Sequence, residues 1–196
     1  MIVAGIDPSL TSTGIAVLCD GHPSRLHSLG HGTPNGKTYG HRSDRIVSQC
    51  RAVIAWLDDN LQGPLGILPL SKRVDLAVIE GPSYGSNMPS NHDRAGLWWG
   101  LYSTLRARGI PIAVVAPKTR ALWATGNGNA DKRAVLTTVR AWWPRTPIAD
   151  HDQADALVLA AIGAFRAGDP MPFDVKERHT ANLAAVQWPA ELAASR

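Results

Sequence analysis

Two rhythms of apolar and polar positions run along the chain, and the changes between them mark out strands and helices. Ile2-Val3-Ala4-Gly5-Ile6 is apolar throughout, with no polar alternation, which predicts a strand covered on both faces. It ends in Asp7. Pro8 and Ser9 punctuate, Thr11 to Gly14 turn the chain back, and Ile15 to Leu18 continue as a second apolar strand. Residues 20–42 are rich in Gly, Pro, His and Ser and read as loop, with a short third strand near Leu26–Leu29. The period then changes. Ile46, Cys50, Val53, Ile54 and Leu57 recur at helical spacing and predict a helix over about Ser43–Asp59.

After a proline-containing loop at 60–73, residues Val74 to Glu80 form another mostly apolar strand that ends in a carboxylate, and Gly81-Pro82-Ser83 breaks it. A polar loop at 84–92 leads into a helix capped by Asn91 or Asp93 and running to about Arg108. Leu97, Leu101 and Leu105 form its core stripe. Trp98, Trp99 and Tyr102 widen that apolar surface, which suggests that part of it serves a subunit interface. Gly109 stops this helix, Ile110–Ala116 is a further strand, and a short helix runs to about Ala124. The Gly126-Asn127-Gly128 turn opens a helix at 130–143, with Val135, Thr138, Val139 and Trp142 on its buried face. An apolar, small-residue-rich helix follows from about Asp155. Strand–helix–strand alternation of this kind predicts an α/β fold with adjacent strands.

Composition narrows the setting. A 196-residue chain of which 44% is hydrophobic can build one domain with a substantial core. No run of eighteen apolar residues occurs and the first residues carry no basic leader, so neither a membrane span nor a secretory signal is expected. Cys19 and Cys50, without CxxC spacing, fit a reducing cytoplasm better than a disulfide or zinc framework. The formal net charge is only +4, but its distribution is uneven. Gly81 to Arg145 holds nine basic residues against Asp93 and Asp131, a local excess of +7 that points to a polyanionic partner, nucleic acid first.

The candidate chemistry is carboxylate chemistry. Two strands end in Asp7 and Glu80, and Asp152 and Asp155, three apart, share one helical face. Asp7 taken alone is equally well read as a turn cap accepting N–H groups from residues 9 and 10. Four converging acids repel unless cations lie between them, and oxygen-only ligands select Mg²⁺ or Mn²⁺. Two such ions polarise a phosphodiester and activate water. A lysine nearby offsets the charge that builds on the phosphate. The GxG turn entering a helix also offers backbone N–H groups as a phosphate cradle.

Four segments, in this order, carry a resemblance: Gly5-Ile6-Asp7-Pro8-Ser9 with Thr13-Gly14; Ala77-Val78-Ile79-Glu80; Gly126-Asn127-Gly128-Asn129-Ala130-Asp131-Lys132; and Asp152-Gln153-Ala154-Asp155-Ala156-Leu157. Together they resemble RuvC, the Holliday-junction resolvases of the ribonuclease H-like superfamily, over about residues 1–165. The resemblance implies a central five-stranded mixed sheet flanked by helices, and a homodimer that cuts two strands of a four-way DNA junction. It implies two Mg²⁺ or Mn²⁺ ions per site held by Asp7, Glu80, Asp152 and Asp155, with Lys132 as an active-site lysine. A second basic active-site residue falls at Lys118 or Arg120. Ser9 and Thr11 on the first turn, Tyr84 as a stacking residue, and Arg94, Lys118, Arg120, Lys132 and Arg133 from the basic block are the candidate DNA contacts. His151, beside Asp152, is either an aid to a bound water or a plain helix-start residue.

Residues 166–196, with three prolines and four basic against four acidic side chains, read as a C-terminal extension with one short helix at about 181–195. Three rivals remain: an actin-like kinase or ATPase, which needs a second phosphate-binding hairpin that this chain lacks; a non-catalytic binder of branched nucleic acid; and a nuclease acting on flaps or RNA/DNA hybrids.

Overall fold

A computed structural model describes residues 1–30, 38–61, 74–82 and 91–193. Strands β1 (Ile2–Asp7), β2 (Thr13–Cys19), β3 (His22–Leu29), β4 (Leu76–Glu80) and β5 (Ile112–Val115) form one sheet in the order β3-β2-β1-β4-β5. The first three are antiparallel neighbours, whereas β1–β4 and β4–β5 are parallel. The sheet is therefore mixed and five-stranded, as expected.

The missing polar alternation in β1 and β4 has a direct cause. Ala4, Ile6, Ala77 and Ile79 point into a core shared with helices α1 (Tyr39–Leu61) and α2 (Asn91–Ala107). Val3, Leu76 and Val78 point the other way, into a core shared with α3 (Pro117–Thr125), α4 (Lys132–Trp142) and α5 (His151–Arg166). Both faces are covered, so both sets of alternate positions are apolar.

Helix α5 lies against β1 and β2 at backbone contact. A Cβ placed on Gly5 would sit 2.0 Å from the Ala156 carbonyl oxygen, and one on Gly14 would sit 2.0 Å from that of Asp152. Only glycine permits this approach. Because Gly14 is also the cross-strand partner of Asp7, the contact sets the start of α5 beside the end of β1.

Several element boundaries differ from expectation. Helix α1 begins at Tyr39 rather than Ser43, because the Thr38 hydroxyl accepts the His41 N–H and Arg42 is anchored to Asp93 of α2 at 2.5–2.9 Å. Strand β3 reaches back to His22, into what the composition marks as loop. Its half-exposed, polar sequence reflects an edge position, where only one side is paired. Strands β4 and β5 are shorter than the apolar runs that contain them. Helix α5 starts four residues before Asp155, with Asp150 as N-cap accepting the Gln153 N–H at 2.9 Å.

The extension packs on the domain. Helix α6 (Glu177–Thr180), a 3₁₀ turn (Leu183–Ala185) and α7 (Ala190–Ala193) follow α5 in place of one helix. Phe173 stacks on Trp142 at 4.2 Å and meets Trp123 edge-on at 5.9 Å, while Leu183, Val186 and Leu192 are buried in the α5-side core. Gln187 bridges Val114 and so caps the β5 edge.

Candidate active site

The site is built where β1, β4 and α5 end or begin together. Glu80 closes β4, and its backbone carbonyl accepts the Trp98 indole N–H at 2.8 Å, so the aromatic face of α2 holds the strand end. Thr13 braces the first turn. Its hydroxyl donates to the Ser9 carbonyl at 2.7 Å and accepts from the Ser9 N–H at 3.1 Å and from the buried Gln49 amide at 2.9 Å. Gln49 also donates to the Leu29 carbonyl at 2.6 Å, joining α1 to two strands at one point.

Arg120 stands among the acids. This side chain, on α3, is 10% exposed. Its Nε donates to Glu80 Oε1 at 2.5 Å and its Nη1 donates to Asp155 Oδ1. Glu80 is 14% exposed and Asp155 only 2%. Burial works against the Arg120 charge, but Glu80 and Asp155 outweigh it and keep the guanidinium ionised. The same burial pushes the Asp155 carboxyl up to about 6, against the pull of Arg120 and with a further push from Asp7. Asp7 is held well above the usual carboxylate range, first by burial, then by the neighbouring Glu80 carboxylate, with Arg120 opposing. The acids at the ends of β1 and β4 and on α5 thus share one small volume with Arg120, the one buried arginine or lysine among the described residues.

Asp152 sits at the rim. The Ser12 hydroxyl donates to its Oδ2 at 2.5 Å, and Lys132 Nζ lies 3.9 Å from its Oδ1. Lys132 is 66% exposed, so this pair adds little to stability and leaves the ammonium available to an approaching anion. The His151 Nδ1 lies 3.1 Å from the Lys132 carbonyl oxygen, tying α5 to the start of α4. Ser28 of β3 donates to both Asp150 oxygens at 2.7–2.8 Å and fixes that cap.

Of the residues singled out in the sequence, Asp7, Glu80, Asp155 and Arg120 come together, and Asp152 and Lys132 lie beside them. Ser9 and Thr11 bond each other through their hydroxyls at 3.1 Å on the turn, with Thr11 exposed. Lys118, Arg133 and Arg94 are exposed in the first turns of α3, α4 and α2. Arg120 is buried in ion pairs with Glu80 and Asp155 and is not on this exposed basic surface. Tyr84 lies outside the described residues. Ser12, Ser28, Gln49 and Trp98 support the site but were not predicted. Two of them left a trace in the sequence: Gln49 as a polar residue three positions after Ile46, inside the buried stripe of its helix, and Trp98 as part of the aromatic surface of the next helix.

Among the described residues no three acidic, histidine or cysteine side chains already stand in a metal-binding arrangement, since Arg120 takes up Glu80 and Asp155. The donor set nonetheless fits a hard divalent cation. All its ligating atoms are carboxylate oxygens, and Asp155 Oδ2 is buried with no hydrogen-bond partner among the described residues.

A mixed five-stranded sheet of this order, with acids ending β1 and β4 and more acids on the helix laid across them, defines the ribonuclease H-like class. The Thermus thermophilus RuvC structure in complex with Holliday junction substrate superposes with a TM-score of 0.63 over 86% of this chain and 95% of that chain, at 19% identity. No family model matches the chain. Curated relatives do. The crossover junction endodeoxyribonuclease RuvC of Streptomyces griseus is 30% identical over 169 residues, covering 85% of this chain and 76% of that protein. The RuvC of Saccharopolyspora erythraea is 29% identical over 173 residues, covering 85% and 78%. The chain belongs to the RuvC family of crossover junction endodeoxyribonucleases.

Proposed function

We propose that this chain is a divalent-metal-dependent endodeoxyribonuclease that resolves four-way DNA junctions, acting as a homodimer in the cytoplasm and leaving 5′-phosphate and 3′-hydroxyl ends. One observation carries the reading: Asp7, Glu80 and Asp155, from β1, β4 and α5, crowd one buried volume whose electrostatics favour an added cation. A protein that merely bound DNA gains nothing from acids turned toward a polyanion.

Asp7, Glu80, Asp152 and Asp155 would hold the metal, two Mg²⁺ or Mn²⁺ ions in this reading. When bound, these ions polarise the scissile phosphodiester and make water a competent nucleophile at neutral pH. The protein's own side chains do the rest. Arg120 keeps the buried carboxylates tolerable within the fold and brings positive charge to the place where phosphate charge builds. Lys132, solvent-facing beside Asp152, meets the same phosphate from the rim. Ser9 and Thr11 border the turn, and Lys118, Arg133 and Arg94 supply backbone contacts to the arms. Of the two candidates for the second basic active-site residue, the ion pairs of Arg120 favour it over Lys118. Residues 1–165 form the nuclease domain in this proposal, and residues 166–196 a C-terminal extension.

The test is cleavage of a four-way junction, a flap, a fork and linear duplex by the wild-type protein with Mg²⁺, beside Asp7→Asn. Paired symmetric nicks near the junction centre are expected. Asp7→Asn should lose cutting and keep or gain binding, because a charge repelling the phosphates is gone. It should also lose the rise in melting temperature that Mg²⁺ gives the wild type. Cutting by Asp7→Asn at the wild-type rate refutes the metal site, and equal cutting of every branched form refutes junction selectivity.

A further inference from the structure

The extension brings a cation to the turn that leads into α4. Gly126 ends α3 in the left-handed region (φ 75°), and its N–H bonds back to the Leu122 carbonyl at 2.7 Å. The Arg178 side chain of α6 lies across this glycine: a Cβ there would stand 2.8 Å from Arg178 Nε and 3.0 Å from its Cδ. Gly126 therefore does two things at once. It takes a backbone conformation that side chains rarely adopt, and it forms the floor on which the arginine stem rests.

The turn then folds back along α3. A Cβ on Gly128 would be 3.2 Å from the Lys118 carbonyl oxygen and 3.8 Å from Lys118 Cβ. Three residues beyond Asn129 the chain reaches Lys132, next to Asp152. Lys118, Arg178 and Lys132 thus border a single short turn, and all three are exposed. Among the described residues no acidic side chain pairs with Arg178. Its nearest recorded polar neighbour is His179 Nε2, at 3.4 Å from Nε. That contact does not use the guanidinium fully. His179 Nδ1 accepts the Lys176 N–H at 3.2 Å, and its Nε2 takes only the long bond from Arg178 Nε. His179 is buried, and its Phe173 neighbour, 5.5 Å away, is stacked in turn on Trp142. The base of α6 is therefore fixed while Arg178 as a residue is exposed.

We propose that Arg178 is a phosphate-contacting residue. On this view the C-terminal extension extends the DNA-binding surface by one cation beyond the GxG turn and grips a duplex arm next to the strand being cut. The inference rests on the nuclease reading above, and the chemistry it needs is a sugar-phosphate backbone.

The test measures binding of a four-way junction in Ca²⁺ across a salt series for wild type, Arg178→Gln and Arg178→Lys, with melting curves alongside. Arg178→Gln keeps most of the stem on Gly126 and removes the charge. It should weaken binding by about three- to fivefold at moderate salt and make the slope of log K against log salt shallower by about 0.9. Arg178→Lys should keep the wild-type slope. An unchanged slope in Arg178→Gln overturns the proposal, as does a slope lost equally in Arg178→Lys. If Arg178→Gln does not fold, Arg178→Met, which also removes the charge and keeps an unbranched stem on Gly126, is measured in its place and judged by the same outcomes. A wild-type protein that binds no junction refutes instead the nuclease reading on which the proposal stands.

Discussion

Replacing Arg120 by leucine puts the reading of the site under the most direct strain. The guanidinium bonds both Glu80 and Asp155, and all three side chains are at most 14% exposed. Removing one partner of a buried pair leaves uncompensated charge and typically costs about 3–5 kcal/mol. The upper half of that range is expected here, because two carboxylates are abandoned at once. The cost must also depend on pH in a definite direction. Asp155 already titrates near 6 with the arginine present, against 3.8 for the ordinary group, and loss of the cation that opposes this shift moves it further up. The folded state then binds more protons than the unfolded state across that window, so stability falls as pH rises and returns as pH falls. Urea denaturation in EDTA at pH about 4.5 and about 7.5 measures both effects. Most of the deficit should vanish at the lower pH, and Mg²⁺ should rescue the variant at the higher pH more than it stabilises the wild type. A deficit below about 1 kcal/mol, or one of equal size at both pH values, refutes the claim that Arg120 is the buried counter-ion of this site.

Two further outcomes are expected. Asp155→Asn removes a carboxylate whose titration is displaced from 3.8 to about 6. In EDTA it should therefore spare the protein about 2 kcal/mol that the wild type loses between pH about 4.5 and about 7.5, while abolishing cleavage; parallel stability–pH curves for the two proteins would sink the argument. Gly14→Ala sets a methyl 2.0 Å from the Asp152 carbonyl oxygen, whereas Gly109→Ala meets open space and carries only the strain of φ 71°. The first should lower stability by more than about 3 kcal/mol and impair cutting, the second by about 1 kcal/mol without affecting cutting, and equal melting shifts would show that the helix-to-strand contact is not tight.

Much of this was legible in the sequence because burial on both faces of a sheet leaves an unmistakable trace. The apolar runs ending in Asp7 and Glu80 could be read as central strands, and Asp152 and Asp155 as one helical face, since both inferences need only local periodicity. The partners of those acids were not legible. Arg120 looks like any other member of a basic block until α3 is seen to turn it inward onto Glu80 and Asp155. Ser12, Ser28, Gln49 and Trp98 act across 18 to 140 residues of chain, a separation about which local patterning says nothing. Strand β3 was undercounted for a related reason: as an edge strand it carries His22, Ser24, Arg25 and His27, a composition that mimics a loop. The extension was read only as a change in composition, because its contacts with Trp123 and Trp142 exist only after folding.

The seating of α5 directly on Gly5 and Gly14 has a mechanical consequence. Helices usually rest on sheets through interleaved side chains, which yield by changing rotamer. Here main chain bears on main chain at two points, one of them at Asp152 itself, with no soft layer between. The strand that carries Asp7 and the helix that carries Asp152 and Asp155 consequently move as one body. Thermal motion cannot open the gap between those acids by sliding the helix. Adjustment of the site to its substrate is left to the side chains above this frame, to the exposed ammonium of Lys132 and to the turn that carries it.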